Sequence, residues 1–560
     1  MEKTRPIILI IAIFFTFWYL KSITPPVQQP KTKQASSNTV TQNKSTDNIN
    51  IPNTITSANQ PIVAHPKPSN IKIVDDIILK NDVVKIILTN NGAVVKSVEL
   101  QKYFEDTKNT QPLLLLSDQY GRASFGVRLH NNAQLQPWKV AKSSTNSVTF
   151  IRPDNSGLIL TKTFTLTDSG DLHTNTSITN PTNNTIAIAP YLDGPAGIKV
   201  APHSLLGASS KPFVYGVYDD NNIDLKDEDL KDIKEDGYTA SVNSSLRWFS
   251  LRSKYFVAAS MVENAKLYHQ IIGSYIKNPT DDKSKESLAT TLVANMTNLA
   301  PQQTKQYKFN TYLGPISRQL FATKPYTDLE PLAHLGRLAP ICGVLIGIIN
   351  IFHSIIGNYG LAILLVTLLV KLALHPLTAK GMRSMYAMQK IGPKLKALKE
   401  KYGDDRQKFG MEQMKLFKQE EVNPMMGCLP MLLQMPVYIA LYTTLTRVIE
   451  VRHASFLWID DLSKSDALFA FGTTIPILGD TFNLLPLLWM TSMFFQQKMT
   501  PKSPDPNMAQ QQKMMQFIPF VFGFMMYSMP SGLMLYWVAQ NIFSIIEQAK
   551  IRKKYMPKTT

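Results

Sequence analysis

A chain of 560 residues is too long for one compact core, so two or more folding units are expected. Only 18% of the residues are charged, against about 25% in ordinary globular chains, which hints at lipid; 59 Lys and Arg over 41 Asp and Glu suit an anionic partner such as nucleic acid, ribosome or phospholipid. Two cysteines exclude a disulfide scaffold or a Cys-rich zinc site, and the composition excludes collagen-like and wholly disordered classes.

In chain order, a basic MEKTRP leads into an apolar run from Ile7 to Leu20 closed by Lys21. Small residues suited to cleavage are missing after Trp18, so residues 1–23 are expected to form an uncleaved signal-anchor helix; a removed signal peptide is the alternative. Residues 24–70, rich in Pro, Gln, Asn, Ser and Thr, read as a flexible periplasmic linker. From Ile71 short β-branched runs begin: Val83 to Leu88, a turn at Gly92, Ala93 to Leu100, and the alternating LILTKTFTL from Leu158. Residues 71–325 are therefore expected to form an all-β, sandwich-like domain outside the cytoplasm. The acidic stretch from Asp219 to Asp236 lacks the glycine and closing acid of a calcium loop and reads as a solvated loop.

Beyond Pro325 long apolar segments replace strands. Residues 326–356 are assigned to amphipathic or interfacial helices, 357–377 to a second span, 425–449 to a third, 483–499 to a fourth and 514–549 to a fifth and sixth, giving six transmembrane helices with the anchor. Between Pro376 and Pro424 eleven Lys and Arg stand against six acids, whereas from Glu450 to Asp480 two cations face five acids. The tail at 550–560 holds five cations and no acid. Segments 378–424 and 500–513 are thus cytoplasmic, 450–482 periplasmic, and both termini cytoplasmic. Cys342 falls toward the outer face and Cys428 toward the inner one, so no disulfide links them.

Within 378–424 apolar residues recur at helical spacing around a turn at Gly403, the pattern of a cytoplasmic helical hairpin. Met385, Met388, Lys394, Met411 and Met414 are its candidate docking residues. Adaptable thioethers suit a surface that receives many apolar sequences, and packing of the two helices on each other is the other reading. Lys371, amid LLVTLLVKLALHPLT, is a cation that must face water, head groups or a counter-charge, or else snorkel to the inner interface. No acid accompanies it well inside a span, Glu450 and Glu547 being placed at span ends, which argues against a proton relay. Asn358, Thr367, Gln434, Thr443, Thr444, Gln496, Gln540 and Asn541 either line a wet cavity with it or glue helices together. Motifs for metal, nucleotide or covalent chemistry are missing, so neither enzyme activity nor a cofactor or metal is expected.

The runs GNYGLAILLVTLLVKLALHPLT (from Gly357), KYGDDRQK (from Lys401), EEVNPMMGCLPMLLQMPVYIALY (from Glu420), FFQQKMTP (from Phe494) and MPSGLMLYWVAQN (from Met529) resemble the YidC-type membrane protein insertases of the bacterial inner membrane. Upstream, WFSLRSKYF (from Trp248) with the anchor, linker and β region resembles the Gram-negative form. The resemblance implies a periplasmic β-supersandwich without catalysis and an all-α polytopic core enclosing a hydrophilic groove closed toward the outside. It places the groove's positive residue at Lys371, where most relatives carry arginine, and implies substrate contact at Met435, Tyr536 and Trp537. Thr367, Gln434 and Gln540 complete the candidate groove. The outer loop from Asp466 to Asp480 is longer than the family pattern. Implied partners are nascent membrane proteins, the Sec translocon, the ribosome and membrane lipids, with no specific nucleic acid. A small-solute transporter or channel, or a membrane-tethered envelope scaffold, are the rival functions.

Overall fold

Alternation of inward apolar and outward polar side chains organises the first half of the chain. In the strand Ile159–Leu166 every second residue is buried, the pattern of a sheet with one face on a core. The computed structural model describes residues 71–500 and 516–555, except 109, 130–134, 199–211, 220–221, 229–232, 235–236, 243–244, 277–286, 335–337, 404, 423–428 and 476–477. The expected anchor (1–23), linker (24–70), most of the loop 500–513 and the end of the tail 550–560 lie outside the described residues, as does Cys428.

Three antiparallel sheets share one hydrophobic core. The largest has nine strands, in spatial order Asn222–Glu228, Phe213–Asp219, Leu246–Arg252, Phe256–Val262, Thr304–Pro315, Leu172–Thr179, Ile159–Leu166, Ser147–Pro153 and Lys139–Ser143. A five-stranded sheet is centred on Ser287–Ala294, and a four-stranded one runs from Ile77–Lys80 to Pro112–Ser117. The hairpin expected around Gly92 and the strand expected in the run from Leu158 are both present.

The acidic stretch from Asp219 departs from the expected loop. Asn222–Glu228 is an edge strand paired along its length with Phe213–Asp219. Ile223 and Leu225 pack toward Trp248, while Asp224 and Lys226 pair with each other at 2.6 Å on the solvent side. That alternation is a strand signal which the acids mask.

The other face of the large sheet is covered by the segment that follows it. Phe321, Tyr326, Leu329 and Leu332 pack on Val214, Trp248 and Val257, and the Trp248 indole donates to the Asp328 carbonyl at 2.6 Å. The β region thus extends through the 3₁₀ turns at Thr327–Ala333, past the boundary expected at 325.

Eight helices follow among the described residues: α1 Ala339–Ile356, α2 Tyr359–Lys390, α3 Gly392–Tyr402, α4 Arg406–Gln419, α5 Leu429–Arg447, α6 Leu484–Met499, α7 Ile518–Met525 and α8 Ser531–Tyr555. Local chemistry separates α1 from α2. Gly357 adopts φ 73° and closes α1, and the Asn358 side chain accepts the Leu361 N–H to cap α2. Gly360 has no side chain to spare, because a Cβ there would sit 2.2 Å from the Phe456 ring.

Helix α2 runs 32 residues, straight through the boundary expected between residues 377 and 378 and past Pro376. Its inner part packs on α8 through Ala379, Met382, Tyr386 and Ile551, which compensates for the backbone bond lost at the proline. The hairpin proper is α3 and α4. Among the described residues two helices, α1 and α2, are long and apolar enough by themselves to cross a bilayer. The first is the segment expected to lie in the interface. Where the fifth span is expected, the helix among the described residues is the eight-residue α7, about 12 Å of rise.

The loop between α5 and α6 caps the bundle. One oxygen of the Asp466 carboxylate accepts the N–H groups of Leu484 (2.7 Å) and Leu485 (3.0 Å), the first turn of α6, and the Trp458 indole at 3.2 Å. Carbonyls of Lys464 and Leu462 accept the first N–H groups of α8. The long stretch after Asp466 is a β-ribbon, Phe469–Ile475 against Gly479–Phe482, with Phe469 stacked on Phe482 at 4.9 Å.

One buried group in the β region makes a measurable prediction. The alternation of Ile159–Leu166 turns Lys162 into the core, where its ammonium has no hydrogen-bond partner and lies 5.1 Å from the Phe164 ring. Burial pushes its pKa down to about 7, with Asp193 opposing. The native state therefore binds fewer protons than the unfolded chain between about pH 7 and 10.5, and stability rises with pH across that window. Lys162→Met is expected to flatten that rise and to stabilise the region at pH 7 by roughly 1–3 kcal/mol. Pulse proteolysis in urea on the full chain at pH 7 and pH 9.5 measures both effects, and an unchanged pH slope contradicts the account.

Candidate functional site

Two polar stripes face each other inside the helical region. On α2, Thr367, Lys371 and His375 recur every four residues and so lie on one face; on α8, Tyr536, Gln540, Ser544 and Glu547 do the same at spacings of four, four and three. Lys371 and Glu547 are nearly enclosed, with 11% and 7% of their side chains exposed, while His375 is half exposed.

The Lys371 ammonium lies 2.9 Å from Glu547 Oε2 and donates to Ser544 Oγ at 2.9 Å. Glu547 Oε1 is 2.6 Å from His375 Nδ1. An acid therefore accompanies Lys371, contrary to the sequence expectation that Glu547 marks a span end. Both helices continue well inward, so Glu547 is carried alongside Lys371 and His375 rather than beyond them. Removing one partner of such an enclosed pair typically costs about 3–5 kcal/mol. The missed signal was the polar periodicity of α8, which matches that of α2.

The remaining candidate groove residues separate into groups. Gln434 on α5 donates from Nε2 to the Tyr536 hydroxyl at 3.2 Å, and both are buried. Gln540 is buried between this pair and the ion pair along α8, and its Oε1 has no hydrogen-bond partner. Thr367 is fully buried, and its hydroxyl donates to the Ile363 carbonyl of its own helix at 2.7 Å. It therefore contributes a methyl and a satisfied hydroxyl, not a free donor. Met435 is half-buried on α5, and Trp537 packs on Trp489 with ring centroids 5.9 Å apart. Of the other polar residues, Asn358 is the α2 cap, Thr443 bonds within its own helix, and Asn541 donates to Ser492 at 3.0 Å, joining α8 to α6.

The docking candidates also divide. Met385 and Met388 lie on the inner extension of α2, half-buried, not on the hairpin. Lys394 on α3 pairs with Glu420 just beyond α4. Met411 and Met414, 56% and 55% exposed, project from α4, whereas Leu395, Leu416 and Phe417 form the buried side of the hairpin. Met411, Met414 and Phe417 follow at three-residue steps, each turning about 60° around α4, so the row passes from the exposed face at the two methionines to the buried one at Phe417.

The family model for the 60Kd inner membrane protein matches residues 351–559, and the model for the YidC periplasmic domain matches residues 76–345. The membrane protein insertase YidC of Francisella philomiragia is 33% identical over 485 residues, 83% of this chain and 81% of that protein. The insertase of Francisella tularensis subsp. novicida is 34% identical over 491 residues, covering 84% and 82%. A crystal structure of an active YidC insertase with its first transmembrane domain resolved is similar at 19% identity, covering 86% of this chain and 94% of that one with a TM-score of 0.34. With both halves matched by the family models and such relatives aligned over four fifths of their length, the chain belongs to the YidC family of membrane protein insertases.

Proposed function

We propose that the protein inserts nascent membrane proteins into the bacterial inner membrane and assists their folding, working through the polar faces of α2, α5 and α8. It is an inner membrane protein with a periplasmic domain. The observation that carries the mechanism is the set of buried polar side chains, Lys371, Gln434, Tyr536, Gln540, Ser544 and Glu547, held together within a mainly apolar bundle.

A nascent segment first meets the exposed Met411 and Met414 of the cytoplasmic hairpin, whose thioethers adapt to many apolar shapes. Its short polar flank then enters between α2 and α8, where hydroxyl, amide and charged groups replace lost water and reduce the cost of crossing. Transfer of the apolar segment into lipid supplies the driving force. The outer loop, fastened across the starts of α6 and α8, supports closure toward the periplasm.

The finer architecture belongs to the same proposal: six transmembrane helices including the anchor at 1–23, both termini in the cytoplasm, α1 at the outer interface, and a periplasmic β-supersandwich that is not catalytic. Collaboration with the Sec translocon, and ribosome contact through the basic hairpin and tail, complete it. A solute transporter gains one feature from the structure, since paired intramembrane charges also mark ion paths. The sequence carries no internal repeat to go with it, and family membership favours insertion.

Two experiments in proteoliposomes test the reading. Lys371→Glu sets two carboxylates against each other, and insertion of a single-span substrate with an acidic flank is expected to fall roughly tenfold or more, while Lys371→Arg stays within about threefold of the parent. Full insertion by the Glu variant refutes an electrostatic role for this position. Photocrosslinkers at positions 371, 435 and 536 are expected to capture a stalled nascent segment at one or more sites; silence at all three removes the groove from the path.

A further inference from the structure

The basic residue of the groove is not a bare cation in this protein. Its ammonium is held by Glu547 at 2.9 Å and by Ser544 at 2.9 Å, and the second oxygen of Glu547 is occupied by His375 at 2.6 Å. A carboxylate on an incoming chain therefore meets a cation whose charge is already balanced. We propose that Glu547 is a specificity-determining residue: an internal counter-ion that an acidic group on the substrate's translocated flank must displace from Lys371, so that Glu547 sets how strongly the insertase favours acidic flanks. This rests on the insertase reading above and assigns to its groove a discriminating residue.

The geometry supports exchange of partners. Ser544 and Glu547 lie on one face of α8, opposite Lys371 and His375 on one face of α2, so the four form a closed set. His375 is its open side, with 53% of the side chain exposed, whereas Lys371 and Glu547 are nearly enclosed. When a substrate carboxylate takes the ammonium, Glu547 keeps the imidazole N–H, so neither carboxylate is left without a donor. A neutral flank cannot take over the charge, and it passes the pair without opening it. Glu547 thus competes with acidic flanks alone and tempers a preference that an unpaired Lys371 would show in full.

The test uses the full chain in proteoliposomes and two versions of one single-span substrate, with two aspartates or two asparagines in the translocated flank. Glu547→Gln leaves Lys371 in need of a counter-charge, so the acidic-to-neutral ratio of insertion rates is expected to rise roughly tenfold, in keeping with couplings measured between close charge pairs. Glu547→Asp, which pulls the carboxylate back by one methylene, is expected to raise the ratio less and decides the matter if the Gln variant does not reach the membrane. An unchanged ratio, or rates for both substrates that fall in parallel, overturns the proposal and leaves Glu547 a structural role. If the unsubstituted protein inserts neither substrate, the insertase reading itself fails, a result distinct from either outcome for the variants.

Discussion

A charge inside an apolar bundle has to be met by another, and that requirement fixes how α2 and α8 lie against each other. Gly532 approaches Ile363 near the start of α8, Lys371 and His375 meet Ser544 and Glu547 further along, and Ile551 joins Met382 and Tyr386 at the inner end. Nineteen residues separate Ile363 from Met382, and nineteen separate Gly532 from Ile551, so the two helices run parallel with matched rise. Slippage by one turn would part Lys371 from Glu547 and Ser544 and leave two nearly enclosed charges without each other. The small residue at 532 and the aliphatic contacts at 551 hold the ends, while the ion pair sets the register between them.

The end of the bundle where α6 and α8 begin is held by a different use of charge. The acids of the loop after α5 are more than markers of topology, for two of them are buried and accept hydrogen bonds from the backbone around them. Asp461 accepts the N–H groups of His453 and Ser463 and the Ser463 hydroxyl, folding the loop on itself. Asp466 places its carboxylate at the positive end of α6, where unpaired N–H groups and the helix dipole both favour an anion. Phe456, Ile459 and Leu462 from the same loop join the apolar core of the bundle. Arg452 then reaches the β region, donating to the Phe104 carbonyl at 2.5 Å and lying 5.6 Å from the Phe256 ring. A single loop therefore closes the helices and ties them to the sheets.

Much of this was legible because period and composition are local properties. The alternation of LILTKTFTL announces a strand, and the GNYG run encodes a helix stop, a cap and a close approach in four letters. What eluded the sequence depends on two segments at once. Glu547 looked peripheral on its own helix because its distance from the apolar run, not its alignment with Lys371, was visible. The strand Asn222–Glu228 was hidden by acids whose exposed face is compatible with a sheet edge. The hairpin boundary moved because Pro376, a helix breaker in isolation, sits where packing on α8 carries α2 onward to Lys390.

A lysine at 371, where the sequence resemblance implies an arginine, is intelligible through its neighbours. Glu547 divides its two oxygens between Lys371 and His375. A guanidinium prefers both oxygens of one carboxylate, in a planar fork, and would compete with the imidazole for Oε1. An ammonium is a compact point charge satisfied by one oxygen and one hydroxyl, and Ser544 supplies the latter. The lysine, the shared carboxylate and the histidine are therefore one arrangement, in which the choice of cation follows from how many partners the acid must serve.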